Sequence, residues 1–194
     1  MRTLIGGIFL AVLSVTTAFA GSLQLVNNGG FETGSLPPWY VNQNICTTGC
    51  DPWAITASQA HSGSFSAVDT GNIELLQYFT PVLVSNVADA SFWIYTPDFF
   101  AGTFVTFYYS SYSSGCLQLI IGQPNQWVSM DVTSCLDSGQ TLQGISFFGS
   151  DTLTIYIDDV SIVANTATPE PATFGLLGSG LALAFRVTRR RLAV

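Results

Sequence analysis

The sequence predicts an all-β domain, a sandwich or barrel, on two observations. Between residues 21 and 163, short runs rich in β-branched and aromatic residues are separated by Gly, Pro, Asn, Asp and Ser, and none keeps a 3.6-residue apolar period. About ten such runs occur, a number that suits a two-sheet sandwich. They are residues 23–26, 53–57, 65–69, 75–79, 90–95, 104–109, 117–121, 127–132, 142–148 and 153–163. In the last run, strict alternation places Tyr156, Asp158, Val160 and Ile162 on one face and Ile155, Ile157, Asp159 and Ser161 on the other. At 194 residues the chain has room for one such domain and terminal appendages.

The first appendage is residues 1–20. Arg2 precedes an apolar run, Leu4 to Val15, and then Ala18-Phe19-Ala20 supplies small residues where a signal peptidase cuts. The run is shorter than the roughly 20 residues that span a bilayer, so it reads as a secretory signal and Gly21 as the first mature residue.

The second appendage is residues 169–194, reached through a small, polar linker over 164–168. Pro169-Glu170-Pro171 opens it, an uncharged stretch from Ala172 to Phe185 follows, and Arg186, Arg189, Arg190 and Arg191 close it. Fourteen helical residues cover about 21 Å against a hydrocarbon core of about 30 Å, so the span is short unless Arg186 snorkels. The arginines fit a cytoplasmic flank. These three parts, in this order, resemble the PEP-CTERM sorting signal of bacteria. The resemblance implies export, a short transmembrane helix holding the chain in the inner membrane, and recognition of Pro169, Glu170 and Pro171 by the transpeptidase-like exosortase. It also implies release to the cell surface or an exopolysaccharide matrix.

Charge narrows the function of the domain between. All five basic residues lie in the appendages, whereas eleven of the twelve acids lie within 21–168, which therefore carries a formal −11 with no Lys or Arg. Nucleic-acid binding needs cations to neutralise phosphates and is excluded. Any glycan ligand is expected to be neutral or bound through a metal.

Asn27-Asn28-Gly29-Gly30-Phe31-Glu32-Thr33-Gly34 with Trp39, then His61-Ser62-Gly63-Ser64, then Ile157-Asp158-Asp159-Val160-Ser161-Ile162, resemble the galactose-binding-like jelly rolls, which include carbohydrate-binding modules. That resemblance implies a structural Ca²⁺ held by Glu32 with Asp158 or Asp159, hard oxygens of the kind calcium takes. Asp69 is a further acid expected near the same site.

Cys46, Cys50, Cys116 and Cys135 form an even set in an exported chain and read as two disulfides. Proximity in sequence favours Cys46 with Cys50 and Cys116 with Cys135. No catalytic constellation assembles: His61 is the only imidazole, there is no Lys, and no G-x-S-x-G occurs. The chain reads as a non-catalytic binder of exopolysaccharide, or else as a structural matrix or adhesion protein. Aromatics that stack on sugar faces are sought among Trp39, Trp53, Tyr108, Tyr109, Tyr112 and Trp127, with Trp39 and Tyr112 favoured. Tyr108 and Tyr109 must face opposite ways in a strand.

Intact mass of the protein from an exosortase-carrying host should show a chain that begins at Gly21 and ends near Pro169. Glu170→Ala should leave the tail in place. A mature wild-type chain retaining Arg189 to Arg191 would contradict tail removal.

Overall fold

The computed structural model describes residues 21–42, 52–69, 71, 73–121, 123–149 and 153–166. Ser22–Thr166 is one compact unit. The expected signal peptide, the Cys46–Cys50 pair and the tail from residue 167 lie outside the described residues. Among the described residues no helix is long and apolar enough to cross a membrane.

Eleven strands are described: β1 (Gly21–Gln24), β2 (Tyr40–Asn42), β3 (Ala54–Thr56), β4 (Ser66–Asp69), β5 (Glu74–Leu83), β6 (Val87–Thr96), β7 (Phe100–Tyr109), β8 (Ser113–Ile121), β9 (Gln126–Asp131), β10 (Thr141–Phe148) and β11 (Ile155–Thr166). Among the described residues, two single-turn 3-10 segments, Val84–Asn86 and Thr133–Cys135, interrupt them. The strands make two sheets. Sheet A has the order β3-β4-β11-β6-β9, with β1 also on β11, and sheet B the order β2-β5-β10-β7-β8. The registered pairs are antiparallel. All the expected strands are present; β2, three residues beside the Pro37-Pro38 turn, was too short to leave a pattern.

Period-2 alternation builds the core between the sheets. From sheet A come Ala90, Phe92 and Ile94 of β6; from sheet B come Val105, Phe107 and Tyr109 of β7 and Ile145 and Phe147 of β10, all buried. Phe92 meets Phe147 edge to face at 4.9 Å between ring centroids, and Trp39 lies 5.8 Å from Phe31 and 6.0 Å from Phe147. Offset and tilted ring contacts of this kind add to the area they bury.

Three expectations need correcting. Trp39 is 2% exposed, its Nε1 donating to the Asn28 carbonyl, so it is a core residue with no face left for a sugar. β11 does not alternate throughout: its register on β6 shifts between Asp158 and Ser161, and Asp159 adopts φ +47. This bulge moves the buried face by one residue, so that Ile155 and Ile157 before it and Val160, Ile162 and Ala164 after it all enter the core. The linker is the third: β11 continues to Thr166 because Ala164 pairs with Val87 and is buried.

The Cys116–Cys135 disulfide is formed, across a separation of 19 residues, and ties β8 to the turn after β9. Replacing both cysteines by Ala should lower stability by roughly 3 kcal/mol in the chain-entropy model, read by denaturant unfolding of the oxidised protein.

Candidate functional site

The predicted acids come together, but around a loop. Glu32 accepts hydrogen bonds from the amides of Ser64 (2.9 Å) and Phe65 (3.0 Å). Asp158 accepts from the amides of His61 (2.8 Å), Ser62 (3.2 Å) and Asp159 (2.7 Å). Asp159 accepts from the Ser62 hydroxyl (2.8 Å) and holds His61 Nδ1 at 2.7 Å. Residues 61–65 are thus clamped between the N-terminal turn and β11. Gly63 is required there, with φ +63 and the Glu32 carboxyl carbon 2.3 Å from where a Cβ would stand. The His61 ring stacks on Trp93 at 3.7 Å and meets Trp127 edge-on at 5.7 Å. Burial pushes the Asp158 carboxyl above its ordinary range, opposed by the three amides it accepts from. Asp69 instead accepts from Gly71 N in its own turn.

For calcium, the donors are of the right kind: carboxylates from separate segments, with no Lys or Arg between residues 21 and 168 to compete, although Glu32 Oε1 and Asp158 Oδ2 each already accept two amides. Among the described residues, though, no three Asp, Glu, His or Cys side chains form a group that holds a metal by itself. Backbone carbonyls would have to complete any shell.

Of the aromatics named from sequence, Trp53 and Tyr109 join Trp39 in the core. Trp127 is half-buried beside His61. Tyr112 is 42% exposed at the β7–β8 turn; its hydroxyl donates to Asp137 at 2.8 Å, which pushes the phenol up to about 12. Tyr108 faces outward on sheet B, and it leads to a site that sequence reasoning missed.

Register places the outward residues of sheet B in three rows that cross the strands, because directly opposed residues share a face. The first is Asn42, Glu74, Phe148, Phe104 and Leu117. The second is Tyr40, Leu76, Ser146, Thr106 and Gly115, and the third is Tyr78, Gly144, Tyr108 and Ser113. The middle of the second row is small and almost sealed, with Leu76, Ser146 and Thr106 buried beneath the larger flanking side chains. Across five strands at ~4.8 Å spacing the face extends about 19 Å, the length of a short oligosaccharide.

Polar groups at its centre are fixed. Glu74 is only 2% exposed; it accepts from the Tyr108 hydroxyl in a short hydrogen bond and from Asn42 Nδ2 at 2.8 Å. Tyr108 on β7 thereby reaches Glu74 on β5 across β10, over Ser146. Burial and then the Glu74 bond push the Tyr108 phenol well above its ordinary range, and burial with the nearby Tyr78 and Glu74 raises Tyr40. Tyr108 therefore remains a donor. Tyr78, 52% exposed, meets Tyr108 edge-on at 5.5 Å and lies down over Gly144, where an added Cβ would stand 2.7 Å from the ring. The sequence signal for this site was an acid, Glu74, in step with Tyr78 inside an apolar strand run.

Comparison with known proteins adds two findings, one from each part of the chain. Residues 167–191 match the PEP-CTERM protein-sorting motif. The motif implies an exported protein that exosortase processes. The domain before the PEP-CTERM segment is similar to solved carbohydrate-binding modules. One is a xylan-binding domain from family 22 (TM-score 0.53, 18% identity, 75% of this chain and 97% of that one). Another is the family 22 xylan-binding domain of Paenibacillus barcinonensis Xyn10C (0.51, 13%, 79% and 100%). A third is TmCBM61, solved with β-1,4-galactotriose (0.50, 17%, 74% and 99%). The fold is the jelly-roll sandwich of these modules. No curated protein matches the chain.

Proposed function

We propose that this is a non-catalytic, exosortase-processed matrix or surface protein that binds neutral exopolysaccharide on the outward face of sheet B. Before processing, the tail helix would hold it in the inner membrane. The observation that carries the reading is the Tyr108–Glu74–Asn42 bridge flanked by the exposed Tyr40 and Tyr78 rings. Rings stack on the apolar faces of sugars, while the buried Glu74 fixes the Tyr108 hydroxyl and the Asn42 amide beneath them, which leaves the surface little entropy to lose on binding. A neutral ligand suits a domain with no Lys or Arg between residues 21 and 168. For glycoside hydrolysis a second carboxyl is needed within roughly 5–10 Å of the first, and none of the outward-facing residues of these rows other than Glu74 is acidic.

The jelly-roll resemblance adds a second proposal: that Glu32 and Asp158, with Asp159 beside them, hold a structural Ca²⁺ with carbonyl oxygens of the clamped turn. The metal would offset repulsion among these carboxylates, and the chain's own role is to keep residues 61–65 against β11.

Titration calorimetry against neutral polysaccharides should show Tyr40→Ala and Tyr78→Ala each weakening binding roughly 2- to 10-fold, with Glu74→Gln weakening it as well. Loss on Tyr112→Ala with none on Tyr78→Ala would move the site to the β7–β8 turn. Binding to no polysaccharide would favour the structural-protein reading, and steady release of reducing ends would overturn the non-catalytic one.

Calcium removal should lower the melting temperature, because a ligand bound only by the folded state adds roughly 2.7 kcal/mol at a hundredfold excess over its dissociation constant. Glu32→Ala should mimic EDTA. An unchanged melting temperature, with calcium removal verified by elemental analysis, would overturn the metal proposal and leave the glycan reading intact.

A further inference from the structure

β8 is the last strand of sheet B, nine residues long, with β7 on one side and, among the described residues, no strand on the other. Edge strands of natural proteins are commonly kept from pairing with other chains by short length, Pro, bulges or charge. β8 has none of these: its registered pairing with β7 is continuous from Ser113 to Ile121, it contains no Pro, and the whole stretch from Phe99 to Met130 contains no charged residue. Two of its outward side chains are large and apolar. Leu117 is 57% and Leu119 45% exposed, and Phe104 beside them on β7 is 43% exposed. The nearest acid on the neighbouring turn, Asp137, is held by the hydroxyls of Tyr112 and Ser114 at the first end of the strand.

We propose that β8 is a self-association edge, at which two copies of this chain pair β8 against β8 in antiparallel fashion. The second copy is the occupant that the charge pattern fits. Two domains that each carry a formal −11 repel one another wherever acids line both surfaces. A basic partner would be drawn to those acidic surfaces, whereas a copy of the same chain meets least repulsion at the charge-free edge. A two-fold axis normal to the sheet satisfies the open N–H and C=O groups of both strands at once and brings the Leu117 and Leu119 side chains of the two copies together on one face. The result is a ten-stranded sheet made of two five-stranded ones. Its outward face carries both Tyr40–Tyr78–Tyr108 regions on the same side, so a long ligand would be engaged twice. The pairing itself does not rest on the glycan reading.

Sedimentation velocity of the purified chain, without glycan, is the test. A dimer should appear with rising concentration and form more readily at high salt, where like-charge repulsion is screened. Leu117→Asp and Leu119→Asp should each shift the dimer to monomer, because they place carboxylates in the strip where the copies meet. Leu23→Asp, at an equally exposed leucine on β1, should leave it. Melting temperatures check that the variants fold. Hydrogen exchange of the wild-type chain gives a reading free of substitutions: β8 amides should slow as concentration rises. A wild-type chain that stays monomeric at every salt and concentration, a dimer unaffected by both β8 variants, or β8 amides whose exchange ignores concentration would each overturn the proposal.

Discussion

Residues 21 to 168 contain no Lys or Arg, and the carboxylates of the clamp and of sheet B are held instead by amides, hydroxyls and one imidazole. This constraint organises the domain. Glu32 and Asp158 spend their oxygens on backbone amides of residues 61–65, and Asp159 takes the Ser62 hydroxyl and the His61 ring. Asp131 caps the turn after β9 through the Thr133 amide, which holds its carboxyl below the usual range. Glu74 relies on a phenol and a side-chain amide, Asp137 on two hydroxyls. Hydrogen bonds to ionised groups are stronger than neutral ones, so these contacts fix loops that an ion pair would hold less directionally.

The same constraint divides the two sheets in character. Sheet A carries the clamp, where segments distant in sequence meet, and its outward rings Trp93 and Trp127 are engaged by His61. Sheet B keeps its outward rings Tyr40 and Tyr78 exposed and its one outward acid buried. One sheet closes the fold, and the other leaves its outward rings open to solvent.

The fold class was legible because alternation of apolar and polar residues is a local property. So was the Cys116–Cys135 bridge, through spacing, and the facing of Tyr108 against Tyr109, through parity alone. What failed to show has a common cause in contacts distant along the chain. Trp39 looks like a ring in a polar loop until Phe31 and Phe147 are seen packed on it. The β11 bulge depends on Val160 N donating to the Gly29 carbonyl, more than a hundred residues away in sequence, and no reading of Asp158-Asp159 by itself reveals it. The sheet B rows exist only once β2, β5, β10, β7 and β8 lie side by side, an order that strand recognition does not supply. The clamp acids and the His61–Ser64 segment were both found by resemblance, yet nothing in either stretch shows that the acids bind the amides of that segment.

The place where the chain leaves the sandwich has a mechanical meaning. Residue 166 ends β11, which is flanked in sheet A by β4 and β6 and also carries β1. Tension applied at residue 166 along the axis of that strand would load its lateral hydrogen bonds in shear, many at a time. Peeling an edge strand would break them one after another. A pull on residue 166 would thus be borne by the strand that sheet A holds from both sides, the same strand from which Asp158 holds residues 61 and 62.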